Sequence, residues 1–184
     1  ANLRCQTVVG SNEVGNGQWI RFDSKKRDPE HFQENVERLK ILVADTLWCT
    51  NPMASIHLSE GDFFVYVDKD NEPHIAIKML DDSIDEVRGL HNGNAQELEP
   101  EYLDVVVEFL GNNQHIKNGV EWLNKHEWNK RLIGYASKID SGETSDIDIG
   151  KMLSDITMVD YRGQNKKNSN LVYLINNIGK LKNE

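Results

Sequence analysis

The chain has 184 residues, 21 Lys and Arg against 30 Asp and Glu, and a formal charge of −9. An apolar fraction of 38% with 13 glycines is the ordinary globular balance, which excludes a wholly disordered chain and leaves material for one real core. No apolar run approaches the roughly 18 residues of a membrane span, and the acidic balance argues against a general phosphate-binding surface.

Residues 3–9 and 18–22 are β-prone runs separated by a Gly- and Asn-rich stretch, which predicts a hairpin with a long loop. Asp28-Pro29-Glu30 reads as a helix start: a capping carboxylate, then Pro at the first position, then an acidic first turn. Phe32, Val36, Leu39, Val43 and Leu47 follow as one apolar stripe. That helix is expected to fray at Trp48–Pro52, because Pro52 pushes Asn51 out of helical geometry. A short second helix follows over 53–60. Residues 63–67, 74–79 and 84–88 are separated by turns too short for parallel crossovers, which predicts a three-strand antiparallel meander stopped by Gly89. The 63–67 strand lacks polar alternation and should be the most buried.

Past Gly93 the pattern turns helical. Glu99-Pro100-Glu101 opens a helix with Leu103, Val106, Val107 and Leu110 inward, ended by Gly111. Ile116, Val120 and Leu123 begin another that runs loosely towards Ile139. A polar break at 140–145 precedes two helices, at 146–159 and 171–181, joined by a basic, Asn-rich loop at 162–170. The fold class is therefore α+β: a small antiparallel β-meander sheet with packed helices (residues 1–140) and a helical C-terminal extension (141–184). The extension is too short to bury a core of its own and so is expected in the same domain.

Two cysteines, Cys5 and Cys49, make no disulfide framework, and no CxxC pair suggests zinc. No signal-peptide pattern opens the sequence. The cytoplasm is the simplest compartment, although a secreted effector without such a signal would have the same composition. The start at Ala1, in strand-like sequence, reads as a segment of a longer protein.

Five segments occur in fixed order: Gln18-Trp19-Ile20, Trp48-Cys49-Thr50, Gly61-Asp62-Phe63-Phe64-Val65-Tyr66-Val67, Ile75-Ala76-Ile77-Lys78-Met79 and Glu86-Val87-Arg88-Gly89, with Gln96 and Leu98 soon after. Over roughly residues 18–110 this resembles a module of large bacterial proteins marked by WCT, GDF-x-VY, AI-x-M and EVRG segments. More distantly it is similar to the PcfJ-like proteins of conjugative plasmids and phages, where a Cys-containing segment precedes a β-meander closing on an Arg-Gly and Asn pattern, here Arg88-Gly89 and Asn92. The resemblance implies a mobile-element setting and assigns no activity. In the plasmid proteins a His often precedes the Cys; Trp48 stands there in this chain, so a Cys–His pair does not carry over by position.

Cys49 is the reactive candidate, with His57 and His91 as possible bases (and His74 a further imidazole) and Asp62 or Asn92 as orienting groups. A thiol nucleophile needs a base within hydrogen-bond reach. Read as following a helix, Cys49 sits where the dipole has the wrong sign for a nucleophile, and the bland alternative is a small buried hydrophobe beside Trp48. Arg88, Asn92 and Gln96 form the ligand-binding candidate, since a guanidinium with amides can hold a carboxylate or phosphate; its bland alternative is an ion pair with Asp62 or Glu86. Asp68-x-Asp70-x-Glu72 opens like a calcium loop, but Pro73 replaces the turn glycine and Met79 the final glutamate. His126-Glu127-Trp128-Asn129-Lys130 lacks the second His of HExxH. No metal or cofactor is expected. Arg162, Lys166, Lys167, Lys180 and Lys182 are the one basic concentration, and the whole chain's acidity disfavours nucleic acid as its partner. The expected function is a non-catalytic binding or scaffolding module of a larger bacterial or mobile-element protein, its partner another protein or the rest of its own chain. The alternatives are a Cys49-dependent, hydrolase-like enzyme and a nucleic-acid accessory domain using the basic 162–182 region.

Overall fold

A computed structural model describes residues 6–12, 16–46, 48–89, 100–161 and 169–181. In chain order the elements are β1 (Gln6–Asn12), β2 (Gly17–Phe22), α1 (Phe32–Leu42), α2 (Thr50–Glu60), β3 (Phe63–Val67), β4 (Pro73–Leu80), β5 (Ser83–Arg88), α3 (Pro100–Asn112), α4 (Gly119–Ser141), α5 (Ile149–Tyr161) and α6 (Ser169–Leu181). The α+β class and the helical C-terminal region agree with the sequence reading. The chain divides into two compact units, Ala1–Trp122 and Leu123–Glu184, with the division inside α4.

In the first unit all five strands join one antiparallel sheet in the order β1-β2-β3-β4-β5. The expected hairpin and three-strand meander are therefore one sheet, because β2 pairs with β3 along its length, from Gln18 opposite Val67 to Phe22 opposite Phe63. β3 is the central strand and every one of its residues is buried. That is why it carries five consecutive β-branched or aromatic residues without polar alternation. Alternation sends Phe63, Val65 and Val67 to one face, where Phe22, Val36, Leu39, Trp48 and Leu58 complete a core. Phe64 and Tyr66 point to the other face. There Phe109 of α3 meets Trp19 at 4.6 Å and Phe64 at 5.0 Å between ring centroids, and Tyr102 meets Tyr66 edge-on at 6.4 Å. Each such side chain fully buried contributes about 1.5–3 kcal/mol, so the sheet is held from both sides.

The helical stretch between β2 and β3 departs from the sequence reading. α1 ends at Leu42 and does not run on to Trp48. α2 begins at Thr50, with Pro52 inside its first turn. A proline is tolerated there because the first-turn N–H groups have no intrahelical acceptor. Pro52 thus belongs to the start of a helix, where the sequence reading took it for a terminator.

The second unit buries Leu132, Ile139, Ile147, Met152, Ile156, Leu174 and Leu181 together. Asp155, 8% exposed, accepts a 2.7 Å hydrogen bond from the Tyr135 hydroxyl and pairs with Arg131 at 3.2 Å. Burial, with the Asp155 hydrogen bond added, pushes the Tyr135 phenol up to about 12. Among the described residues no helix is long and apolar enough to cross a membrane.

Candidate functional site

The α1–α2 connection and the end of β5 meet through Trp48. Its indole is buried, and Nε1 donates a 2.6 Å hydrogen bond to the Gly89 carbonyl. Asn51, in the first turn of α2, donates through Nδ2 to the Lys40 carbonyl of α1 at 2.8 Å. These two bonds fix where α2 starts. Cys49 is the N-cap residue of that helix and its side chain is exposed. It therefore lies at the positive end of a helix dipole, the opposite of the placement expected from the sequence. The buried hydrophobe proposed as its bland alternative is Trp48, not Cys49.

His57 follows Cys49 by eight positions, a little over two helical turns and about 12 Å of rise, and both belong to the face of α2 that borders one cleft. That face lies over the sheet beside β4 and β5. There Ala76 is the register partner of Arg88, and Lys78 that of Glu86, so the four project from the same side. A cleft results, lined by Cys49, His57, Lys78, Glu86 and Arg88 with Phe63 and Ala76 beneath, and it leaves about 10 Å³ for the centre of a water molecule, about one solvent molecule.

Its charges are arranged in pairs. Lys78 Nζ lies 2.8 Å from Glu60 and 2.7 Å from Asp85. Burial alone would lower the ammonium, but these hydrogen bonds hold it above its ordinary value. The Arg88 guanidinium lies 3.6 Å from Glu86, which realises one of the two ion pairs expected for it. His57 is 6% exposed, lies flat on Phe63 at 5.8 Å and 7°, and buries an Nδ1 that has no hydrogen-bond partner. Burial first, and the Lys78 charge second, hold its imidazole below the usual histidine range.

The other end of α2 borders a larger cavity, about 350 Å³, lined in part by Lys26, Arg27, Glu60, Asp62, Asp81 and Asp82. Asp62 accepts from the Ser24 N–H at 2.8 Å and from Arg27 Nε at 2.9 Å. Burial opposes its charge, yet the Arg27 and Ser24 hydrogen bonds bring it below the ordinary carboxylate value. Asp62 is thus the partner of Arg27 rather than of Arg88 or Cys49.

Of the residues singled out from the sequence, Cys49, His57 and Arg88 come together in one cleft. His91, Asn92 and Gln96 lie outside the described residues, as do 162–168 and Lys182 of the basic region. His74 is engaged elsewhere: Nε2 faces Asp68 at 2.8 Å and Nδ1 faces the Tyr102 hydroxyl at 3.1 Å. The Asp68 carboxylate also accepts the N–H groups of Asp70 and Glu72, so the calcium-like run is a side-chain-stabilised turn. His126 is fully buried, and burial pulls it down to about 4. Among the described residues no group of three His, Cys, Asp or Glu is placed to hold a metal ion. Sequence reading missed Lys78 and its pairing with Glu60 and Asp85. The alternation of β4 gave the one available signal, since it sets Lys78 on the face of Ala76, beneath α2. Compared with protein-family models, with curated proteins and with solved structures, the chain matches none.

Proposed function

We propose that the chain is a non-catalytic binding or scaffolding module of a larger bacterial or mobile-element protein, and that the cleft along the first two turns of α2 is its working surface. Its partner is another protein or the remainder of the parent chain, in the cytoplasm. The order of the WCT, GDF-x-VY and EVRG segments supports the mobile-element setting.

His57 is the observation that carries this reading. A thiol hydrolase must form an imidazolium and return its proton to the leaving group, and a third group orients the base. His57 is buried and faces the Lys78 charge, both of which favour the neutral ring. It is stacked on Phe63, and its buried nitrogen is bonded to nothing that would orient it. Trp48 and Gly89 meanwhile clamp the two walls of the cleft. A second reading, a Cys49-dependent enzyme, is favoured by the exposed sulfur at the N-cap of α2.

Chromogenic acyl and phosphoryl esters separate the two. Incubated with the intact chain, they are expected to turn over no faster than with Cys49→Ala. Hydrolysis that disappears in Cys49→Ala would overturn the binding reading in favour of the thiol enzyme.

A further inference from the structure

We propose that the cavity at the C-terminal end of α2 binds a free basic amino acid, its two cationic groups held by Asp81 and Asp82 and its carboxylate by Lys26.

Backbone hydrogen bonds build the site. The carbonyl groups of a last helical turn have no partner within their own helix. Two segments from elsewhere in the first unit supply partners here. The Lys25 N–H donates to the Leu58 carbonyl at 2.8 Å, and the Asp81 N–H donates to the Glu60 carbonyl at 2.9 Å. The loop between β2 and α1, which carries Lys26, and the β4–β5 turn, which carries Asp81 and Asp82, are thereby fixed on one helix end. All three residues line the cavity between them, and its volume is about 350 Å³, within the roughly 300–1,000 Å³ of small-molecule sites. Every residue of its lining is polar or glycine, so it suits a charged ligand and has no apolar wall for a hydrophobic one.

The charges around it narrow the ligand further. Asp62 is answered by Arg27 and the Ser24 amide, and Glu60 by Lys78 at 2.8 Å. Three charges are left. Lys26 and Asp81 form no ion pair or side-chain hydrogen bond among the described residues. Asp82 meets Lys117 only at 3.9 Å, with both side chains at least 70% exposed, a contact that solvent screens. Two adjacent carboxylates at the negative end of a helix dipole repel each other and the helix, and a cation brought beside them reverses the sign of both effects. That cation is organic. Among the described residues no group of three His, Cys, Asp or Glu is placed to hold a metal ion, and the cavity is far larger than a metal ion needs. Lys26 requires an anion in the same ligand. One cation against two carboxylates leaves the site one negative charge in excess, and free arginine or lysine carries the complement: one carboxylate, two cations and a net charge of about +1 at neutral pH. The site is separate from the cleft at Trp48 and does not depend on the role proposed for that cleft.

The test follows amide chemical shifts of the full, isotope-labelled chain at low ionic strength during titration with L-arginine and L-lysine. Saturable shifts centred on Lys26, Gly61, Asp81 and Asp82 are expected with at least one of the two. Agmatine, which lacks the carboxylate, and citrulline, which lacks the side-chain charge, should each bind about threefold to tenfold more weakly, the worth of one hydrogen-bonded contact. Asp81→Asn should weaken the amino acid by a similar factor. Lys26→Met should abolish the preference for arginine over agmatine. Both replaced side chains are exposed, so the variants keep the fold. Absence of saturable shifts with either amino acid would overturn the proposal, as would equal binding of arginine and agmatine by the native chain, or affinity unchanged in Asp81→Asn. Magnesium chloride producing the same saturable shifts would replace the organic cation with a metal ion. Tighter binding of acetyl-glycyl-arginine than of arginine would overturn the free amino acid in favour of a peptide C-terminus.

Discussion

The two sites that border α2 solve different problems with similar residues. At the C-terminal end, Asp62 is half-buried and charged, and Arg27 and the Ser24 amide satisfy it. On the side facing β4 and β5, His57 in the last turn is buried and polar with one nitrogen unsatisfied, and Cys49 at the N-cap carries an exposed thiol. The first arrangement stabilises the loop between β2 and α1 against the start of β3. The second leaves a buried group whose hydrogen-bonding capacity is unused, which is where a fold accepts some instability for the sake of a contact made later. One helix thus borders both a satisfied charge and an unsatisfied imidazole.

The largest expected effect lies at Gly61, beside Asp62. A Cβ added at Gly61 would sit 2.5 Å from the Met79 carbonyl oxygen and 2.8 Å from its carbon. Both are backbone atoms of β4, a strand paired on both sides, and have little room to yield. Gly61→Ala is expected to cost about 3 kcal/mol, read as a lowered urea midpoint with an unchanged slope. An unaltered midpoint would mean that α2 and β4 adjust past each other freely. Next in size is Trp48→Phe, which keeps a smaller aromatic ring in place and removes the donor to Gly89. Leaving that carbonyl unpaired is expected to cost about 1–3 kcal/mol.

Acid distinguishes the two sites by pH window. The folded-state value of His57 lies below its ordinary 6.5. Below pH 6.5 the unfolded chain therefore binds a proton that the folded chain refuses, and stability is lost as pH falls towards the folded value. Asp62 is likewise lowered, from 3.8. Its contribution is complete above that value and disappears only as pH falls through the lower folded one. His57→Gln should therefore flatten the stability profile just below pH 6.5 and leave the more acidic limb unchanged, and Asp62→Asn should do the reverse. At neutral pH, Asp62→Ala is expected to cost about 1–2 kcal/mol by leaving the Ser24 amide and Arg27 without an acceptor. Urea titrations at stepped pH check all three variants.

Much of this arrangement is legible in the sequence, and the failures have physical causes. The consecutive apolar residues of β3 identify a doubly covered strand, and Phe32, Val36 and Leu39 mark the inner face of α1. The pairing of β2 with β3 leaves no trace in periodicity, because α1 and α2 intervene and alternation says nothing about which strand is the neighbour. Pro52 misled for a different reason: its local rule, that it ends a helix, is also met one turn after a helix begins. Once Pro52 is placed in a first turn, the spacing of eight brings Cys49 and His57 to one face. Nothing local to Arg88 foretells that Lys78 and its acids stand beside it, since that contact depends on the β4–β5 register. The register is shifted by a bulge between Lys78 and Met79.

The smallest expected effect is at Arg88, and it bears most directly on the division of labour along α2. Its ion pair with Glu86 is long, at 3.6 Å, and the side chain is about one-third exposed. Such pairs contribute about 0–1 kcal/mol, so Arg88→Ala is expected to lower stability by about 0.5 kcal/mol or less. A much larger loss would make Arg88 a structural member of the cleft, equivalent to Arg27 at the other site, and would remove the contrast between the two. A small loss is what a residue of the partner surface would show. Replacing Arg88 with Lys separates charge from shape there: Lys keeps the positive charge but lacks the planar fork that holds a carboxylate through two bonds. If a partner's carboxylate is gripped through that fork, Arg88→Lys should weaken binding nearly as much as Arg88→Ala while leaving the urea midpoint in place.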